Sequence, residues 1–220
     1  MERLLNSIVL FILFAFTLSC TNNKIFEKSL GKQESKALDV WVEEFEEFLS
    51  MNYSGQTPGD NYRNFLSGVS SGEFQNYSPH LSSHEKEKLK RLINESGLWD
   101  QIWCIDTIGD DPEEGFRIIR QLESMKIIDD TLLVRKKFKQ FGSYLNAIKS
   151  EERIDSLFVS YIFSKEVSGL INPIIMAKTL LNNDADFEDY LIKRIITVEF
   201  GNVIFDEGEY INSIYKFREK

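Results

Sequence analysis

Cysteine is nearly missing from this chain. Two occur among 220 residues, Cys20 and Cys104, so at most one disulfide can form and stability has to come from packing. Histidine is equally scarce, with His80 and His84 alone. Their i, i+4 spacing suits one helix face, but no Glu stands between them as in H-E-x-x-H, and two imidazoles do not complete a four-ligand site. No metal centre and no cofactor are therefore expected. Phosphate-cradling loops of the G-x-x-x-x-G-K-[ST] or G-x-G-x-x-G type do not occur, nor does the G-x-S-x-G turn of many serine hydrolases. Basic residues are in deficit, 26 against 35 acidic, for a net charge of −9. Such a chain repels phosphate backbones, so no nucleic-acid partner is expected. No uncharged apolar run reaches the roughly 20 residues of a membrane span. Four prolines and twelve glycines are too few for a low-complexity chain, and seventeen phenylalanines argue against disorder.

What is present begins with a leader. Arg3 precedes an apolar stretch from Ile8 to Phe16, closed by Thr17-Leu18-Ser19-Cys20. The layout resembles a bacterial lipoprotein signal, with small Ser19 directly before the cysteine; Thr17 departs from the Leu preferred there. The resemblance covers residues 1–20 only. It implies that 1–19 are a signal peptide, that Cys20 is lipidated and becomes the new N-terminus, and that the protein is exported and held to a membrane. Thr21 stands where an Asp favours inner-membrane retention in enterobacteria, so the resemblance points to the outer membrane, facing periplasm or cell surface. An ordinary cleaved secretory leader and an uncleaved anchor are the alternatives. If Cys20 carries lipid, Cys104 is the one cysteine left in the mature domain. Its neighbours Trp103 and Ile105 point to burial.

Residues 20–33 read as the lipidated N-terminus and a polar tether, spanning roughly 20 Å. Residues 34–220 read as one domain, mainly α: an irregular multi-helix bundle or helical-pair array. A first helix over 35–51 carries Leu38, Trp41, Phe45, Phe48 and Leu49 at helical spacing. Its other face, Glu43, Glu44, Glu46 and Glu47, reads as solvated. A helix over 83–96 is announced by the capping-box pair Ser82 and Glu85 and closed by Gly97. Leu89, Leu92 and Ile93 form its stripe, and Trp99 and Trp103 follow at i, i+4. Further helices are expected from Asp110-Asp111-Pro112, from Asp129 to Lys149, from Glu151 to Lys165, and from Asn172-Pro173 to Leu181, with a short last one over 207–218. The run Arg135 to Lys139 reads as a solvated helix face. Residues 184–205 fit a helix to Phe200 or a short β-hairpin near 195–205 turning at Gly201-Asn202.

Segment 52–80 differs in texture, and a short helix near Asp60–Ser67 is one reading of its middle. It mixes glycine, serine and asparagine with Tyr53, Tyr62, Phe65, Phe74 and Tyr77. Aromatic rings on a polar, Gly-rich scaffold suit recognition, and these five are the candidate binding surface; the same rings could instead pin a long loop to the core. No catalytic constellation emerges. Cys104 with His80 or His84 has no supporting signature. Asn182, Asp184 and Asp186 begin like a calcium loop, but Phe187 and Lys193 occupy the places of its Gly and closing Glu. The functional expectation is a membrane-tethered helical domain that binds an envelope protein or glycan. The alternatives are an envelope hydrolase acting on cell-wall material and a purely structural or assembly lipoprotein.

Overall fold

The computed structural model describes residues 25–72, 77–78, 80–107, 134–151, 155–168 and 171–205. The fold is mainly α, and helix α1 (Lys32–Asn52) is its centre. The apolar spacing along α1 buries Leu38, Trp41, Phe45, Phe48 and Leu49, each such side chain contributing about 1.5–3 kcal/mol. Packed around α1 are α2 (Pro58–Ser71), α3 (Ser83–Glu95), the one-turn α4 (Leu98–Ile102), α8 (Tyr190–Phe200) and a 3-10 turn (Gly201–Ile204). Helix α2 also packs extensively on α7 (Pro173–Asn182). Helix α5 (Ser143–Lys149) bridges α4 and α6 (Ser156–Ser168). Among the described residues no helix is long and apolar enough to cross a membrane.

Local chemistry sets the helix ends. Thr57 and Asp60 form a reciprocal capping box at α2, and Ser82 and Glu85 form the expected one at α3. Hydrogen bonds from Ser82 hold the Glu85 carboxyl below its usual value. Gly97, at φ 82°, makes the left-handed turn between α3 and α4. Asn172 caps α7 through the N–H groups of Ile174 and Ile175, with Pro173 in the first turn.

Several expectations are corrected. Residues 25–30 are helical, with Phe26 fully buried and Leu30 nearly so. The folded body therefore starts well before residue 34, and residues 25–33 of the expected tether belong to it. Phe26 packs edge-on against Tyr144, at 6.3 Å between ring centroids, and its ring lies under the Arg194 guanidinium, 4.7 Å away.

The helix expected from Asp129 to Lys149 is in part a strand. β1 (Trp103–Thr107) and β2 (Val134–Phe138) form a two-stranded antiparallel ribbon in which Trp103 faces Phe138 and Cys104 faces Lys137. Gly142 then lets the chain pass the Gln101 carbonyl, where a Cβ would stand 2.2 Å from that oxygen. The ribbon also overturns the expected burial of Cys104. Successive strand residues face opposite ways, so with Trp103 and Phe138 turned to the core, Cys104 is exposed. Apolar neighbours in sequence imply burial in a helix far better than in a strand.

At 195–205 the hairpin alternative gives way to helix. Asp189 caps α8 through the N–H groups of Leu191 and Ile192, and Ile195, Ile196, Thr197 and Val198 are buried in succession. A half-exposed hairpin could not bury four consecutive side chains. Helix α6 begins at Ser156, after Asp155 accepts N–H bonds from Leu157 and Phe158. The leader, Cys20, Phe74, the helix expected from Asp110 and the one over 207–218 lie outside the described residues.

Candidate functional site

The described rings of the segment expected to bind a partner belong to the core or pack on it. The middle of that segment is the capped helix α2, not a long loop, and Tyr62 and Phe65 on that helix are fully buried. Phe65 stands edge-on to Phe45 at 5.5 Å and to Phe200 at 5.7 Å. Tyr53 and Tyr77 are partly buried against the same cluster, their hydroxyls 3.3 Å apart, and burial raises the pKa of both. The chain after Tyr77 is fastened to the end of α1: the Ser78 N–H donates to Asn52 Oδ1 at 2.7 Å, and Asn52 Nδ2 donates back to the Ser78 carbonyl. Of the five candidates, four are thus packing residues, and Phe74 lies outside the described set.

Exposed apolar surface appears elsewhere, on α6. Phe158, Tyr161 and Ile162 face the core. On the opposite side Val159, Phe163 and Val167 are 54, 65 and 64 % exposed. Their i, i+4, i+8 spacing forms one continuous ridge about 12 Å long. Ile175 on α7, 61 % exposed, borders an apolar groove of about 100 Å³ between α6 and α7, lined also by Phe158, Tyr161, Met176 and Ile192.

Beneath this ridge α6 is held to α8 by a buried charged cluster. Lys165, 2 % exposed, donates to Glu199 Oε2 at 2.8 Å, and the Tyr161 hydroxyl donates to Glu199 Oε1, also at 2.8 Å. The ammonium group also lies 4.4 Å from the Phe138 ring centroid. Burial and the Glu199 charge push the Tyr161 hydroxyl well above its usual pKa, so it stays a neutral donor. This arrangement satisfies a buried ion pair from several sides, as a stable one requires. Lys149 pairs with Glu166 at the α6 surface. Arg194 binds Asp39 through Nε and Nη2, at 3.1 and 2.5 Å.

A larger groove, about 520 Å³, is lined by Glu151, Asp155, Asp184, Asp186, Asp189 and Tyr190, among others. Three of these acids already serve the backbone. Asp155 and Asp189 cap α6 and α8, and Asp186 accepts the Glu188 N–H. Capping accounts for the concentration of charge there.

No family model, no curated protein and no solved structure is found to match the chain.

One further grouping was hidden in the sequence. Glu44 and Glu47, one turn apart on the face of α1 read as merely solvated, meet His80, which stands before α3 as expected. The three donor atoms lie within 4.8 Å of one another. The His80 ring is 6.0 Å from Phe48 and its side chain is 3 % exposed. Only the i, i+3 spacing of the two glutamates was readable beforehand; the imidazole arrives from 36 positions away.

Proposed function

We propose that this chain is a lipid-tethered helical interaction domain of the cell envelope, and that its contact surface is the α6 ridge. The observation that carries the reading is the exposure of Val159, Phe163 and Val167 in one row on a helix whose other side is core. A row of large apolar side chains in water is the usual mark of a surface awaiting a partner. The leader that ends at Cys20 supports the lipid tether. With helix under way from residue 25, only residues 21–24 separate that cysteine from the body. Fully extended, four residues span at most about 14 Å, so the domain would work close against the bilayer.

The occupant that fits the ridge is the apolar face of a helix or extended segment of another envelope protein. A bilayer surface fits less well. Helices that lie on membranes carry lysine and arginine along the polar face, whereas the single basic residue of α6, Lys165, is buried on Glu199, and the chain's net charge is −9. A glycan would call for exposed aromatic platforms, and a valine-rich ridge supplies only one ring.

Photo-crosslinkers placed at Phe163 and Val167 in intact cells test this. A discrete protein adduct is expected from both, absent from a crosslinker at exposed Lys88 on α3 and abolished by Val159→Asp. Crosslinks to lipid, or the same adducts from position 88, would overturn the assignment. Cys20→Ser tests the tether separately: labelled fatty acid should enter the parent chain and not the variant.

A further inference from the structure

We propose that Glu44, Glu47 and His80 form a binding site for a divalent transition cation of the zinc class. The donor set is mixed, one imidazole nitrogen and two carboxylates, which suits zinc and its neighbours; calcium and magnesium take oxygen donors alone. His80 Nε2 stands 3.3 Å from Glu44 Oε2. That is long for a charge-assisted hydrogen bond, which runs about 2.7–2.9 Å. It matches the edge of a coordination tetrahedron, about 3.3–3.4 Å for metal–ligand bonds of about 2.0–2.1 Å. Glu47 is exposed, so rotation of its side chain can close the remaining gap.

The charge balance points the same way. On the same helix Glu46 is matched by Lys193 at 2.9 Å. Among the described residues no lysine or arginine ion pair reaches Glu44 or Glu47. The site is also held in place before any ion arrives. Asn52 clamps Ser78 with two hydrogen bonds, and Tyr77 packs edge-on against Phe48 at 5.2 Å. These contacts hold Tyr77 and Ser78, three and two residues before His80, against α1, so little freedom is lost on binding. Three protein donors leave one tetrahedral position open for water or for a donor from another molecule, the arrangement of an accessible zinc site rather than a closed structural one.

The test uses the full-length chain in detergent, with no affinity tag, on a Cys104→Ser background that removes the exposed thiol as a competing ligand. Zinc is titrated by calorimetry and against a chromophoric chelator, and cobalt(II) is added as a spectroscopic probe. One zinc per chain is expected, with a raised melting temperature and visible cobalt bands; magnesium and calcium should give neither heat nor stabilisation. Glu47→Gln, at an exposed position that packing does not depend on, should weaken zinc at least tenfold with the apo melting temperature unchanged. His80→Ala should weaken it at least a hundredfold. Failure to take up stoichiometric zinc, or uptake unaltered by Glu47→Gln and Glu44→Gln, would show that His80 and Glu44 are only an ion pair and overturn the site.

Discussion

Segment 53–77 and helix α6 place their apolar side chains in opposite ways. The first is polar, Gly-bearing and rich in rings, and looks like a surface. Yet Tyr62 and Phe65 are fully buried, because a Thr57–Asp60 capping box and Pro58 start a helix there. The second buries Phe158, Tyr161 and Ile162 on one face, and it leaves Val159, Phe163 and Val167 in solvent. Composition reports how much apolar surface a segment carries. Which side of it is covered depends on the neighbours available, and among the described residues α6 has close neighbours on one side only.

Mutations can break or sharpen this contrast. Phe65→Ala opens a cavity between Phe45 and Phe200 and should lower stability by about 3–5 kcal/mol in urea denaturation; a loss under 1 kcal/mol would return the segment to the surface. Lys165→Met strips the partner from buried Glu199 and should remove about 3 kcal/mol. Adding Glu199→Leu should restore most of that, since an apolar pair can replace a buried ion pair. Thr57→Ala tests what makes the aromatic segment helical and should remove about 1 kcal/mol. Phe163→Asp should shift stability by no more than about 0.5 kcal/mol while eliminating the crosslinked adduct. A loss as large as that of Phe65→Ala would mean that the ridge is covered and the contrast false.

The smallest effect concerns pH. Burial acts to raise the Glu188 carboxyl, but the Gly59 N–H at 2.8 Å and the Lys193 ammonium at 3.2 Å outweigh it and hold the carboxyl below its ordinary 4.5. A depressed carboxyl contributes stability above its unfolded value and loses it as pH falls through its folded one. Thermal scans should therefore show a shallower acid decline below about pH 4.5 for Glu188→Gln than for the parent chain. Because Glu188 is largely exposed, the difference should be slight.

Much of the helical frame was legible in residues 35–51, 83–96 and 173–181. There the periodicity, the Ser82–Glu85 pair, Gly97 and Asn172-Pro173 all state local preferences that the fold keeps. The β-ribbon was not legible. The stretch ending at Phe138 has apolar residues that fit a helix as well as a strand, and only pairing with Trp103–Thr107 decides between them. Cys104 followed the same error, since its exposure depends on strand alternation. The α6 ridge could have been found from the sequence: Val159, Phe163 and Val167 stand at helical spacing, opposite Phe158, Tyr161 and Ile162. Their exposure is decided by which elements pack on that helix, and sequence spacing does not state that.

By itself the sequence determined the helical class, both ends of α3 and α7 and the leader-like start, because periodicity, caps and proline act within a few residues of where they stand. Tertiary structure decided the rest: that Tyr62 and Phe65 are core, that Val159, Phe163 and Val167 stay exposed, that Lys165 finds Glu199, and that His80 comes to Glu44 and Glu47. Those outcomes join residues some 30 or more positions apart, and such pairings follow from how the helices stack, which no local pattern encodes.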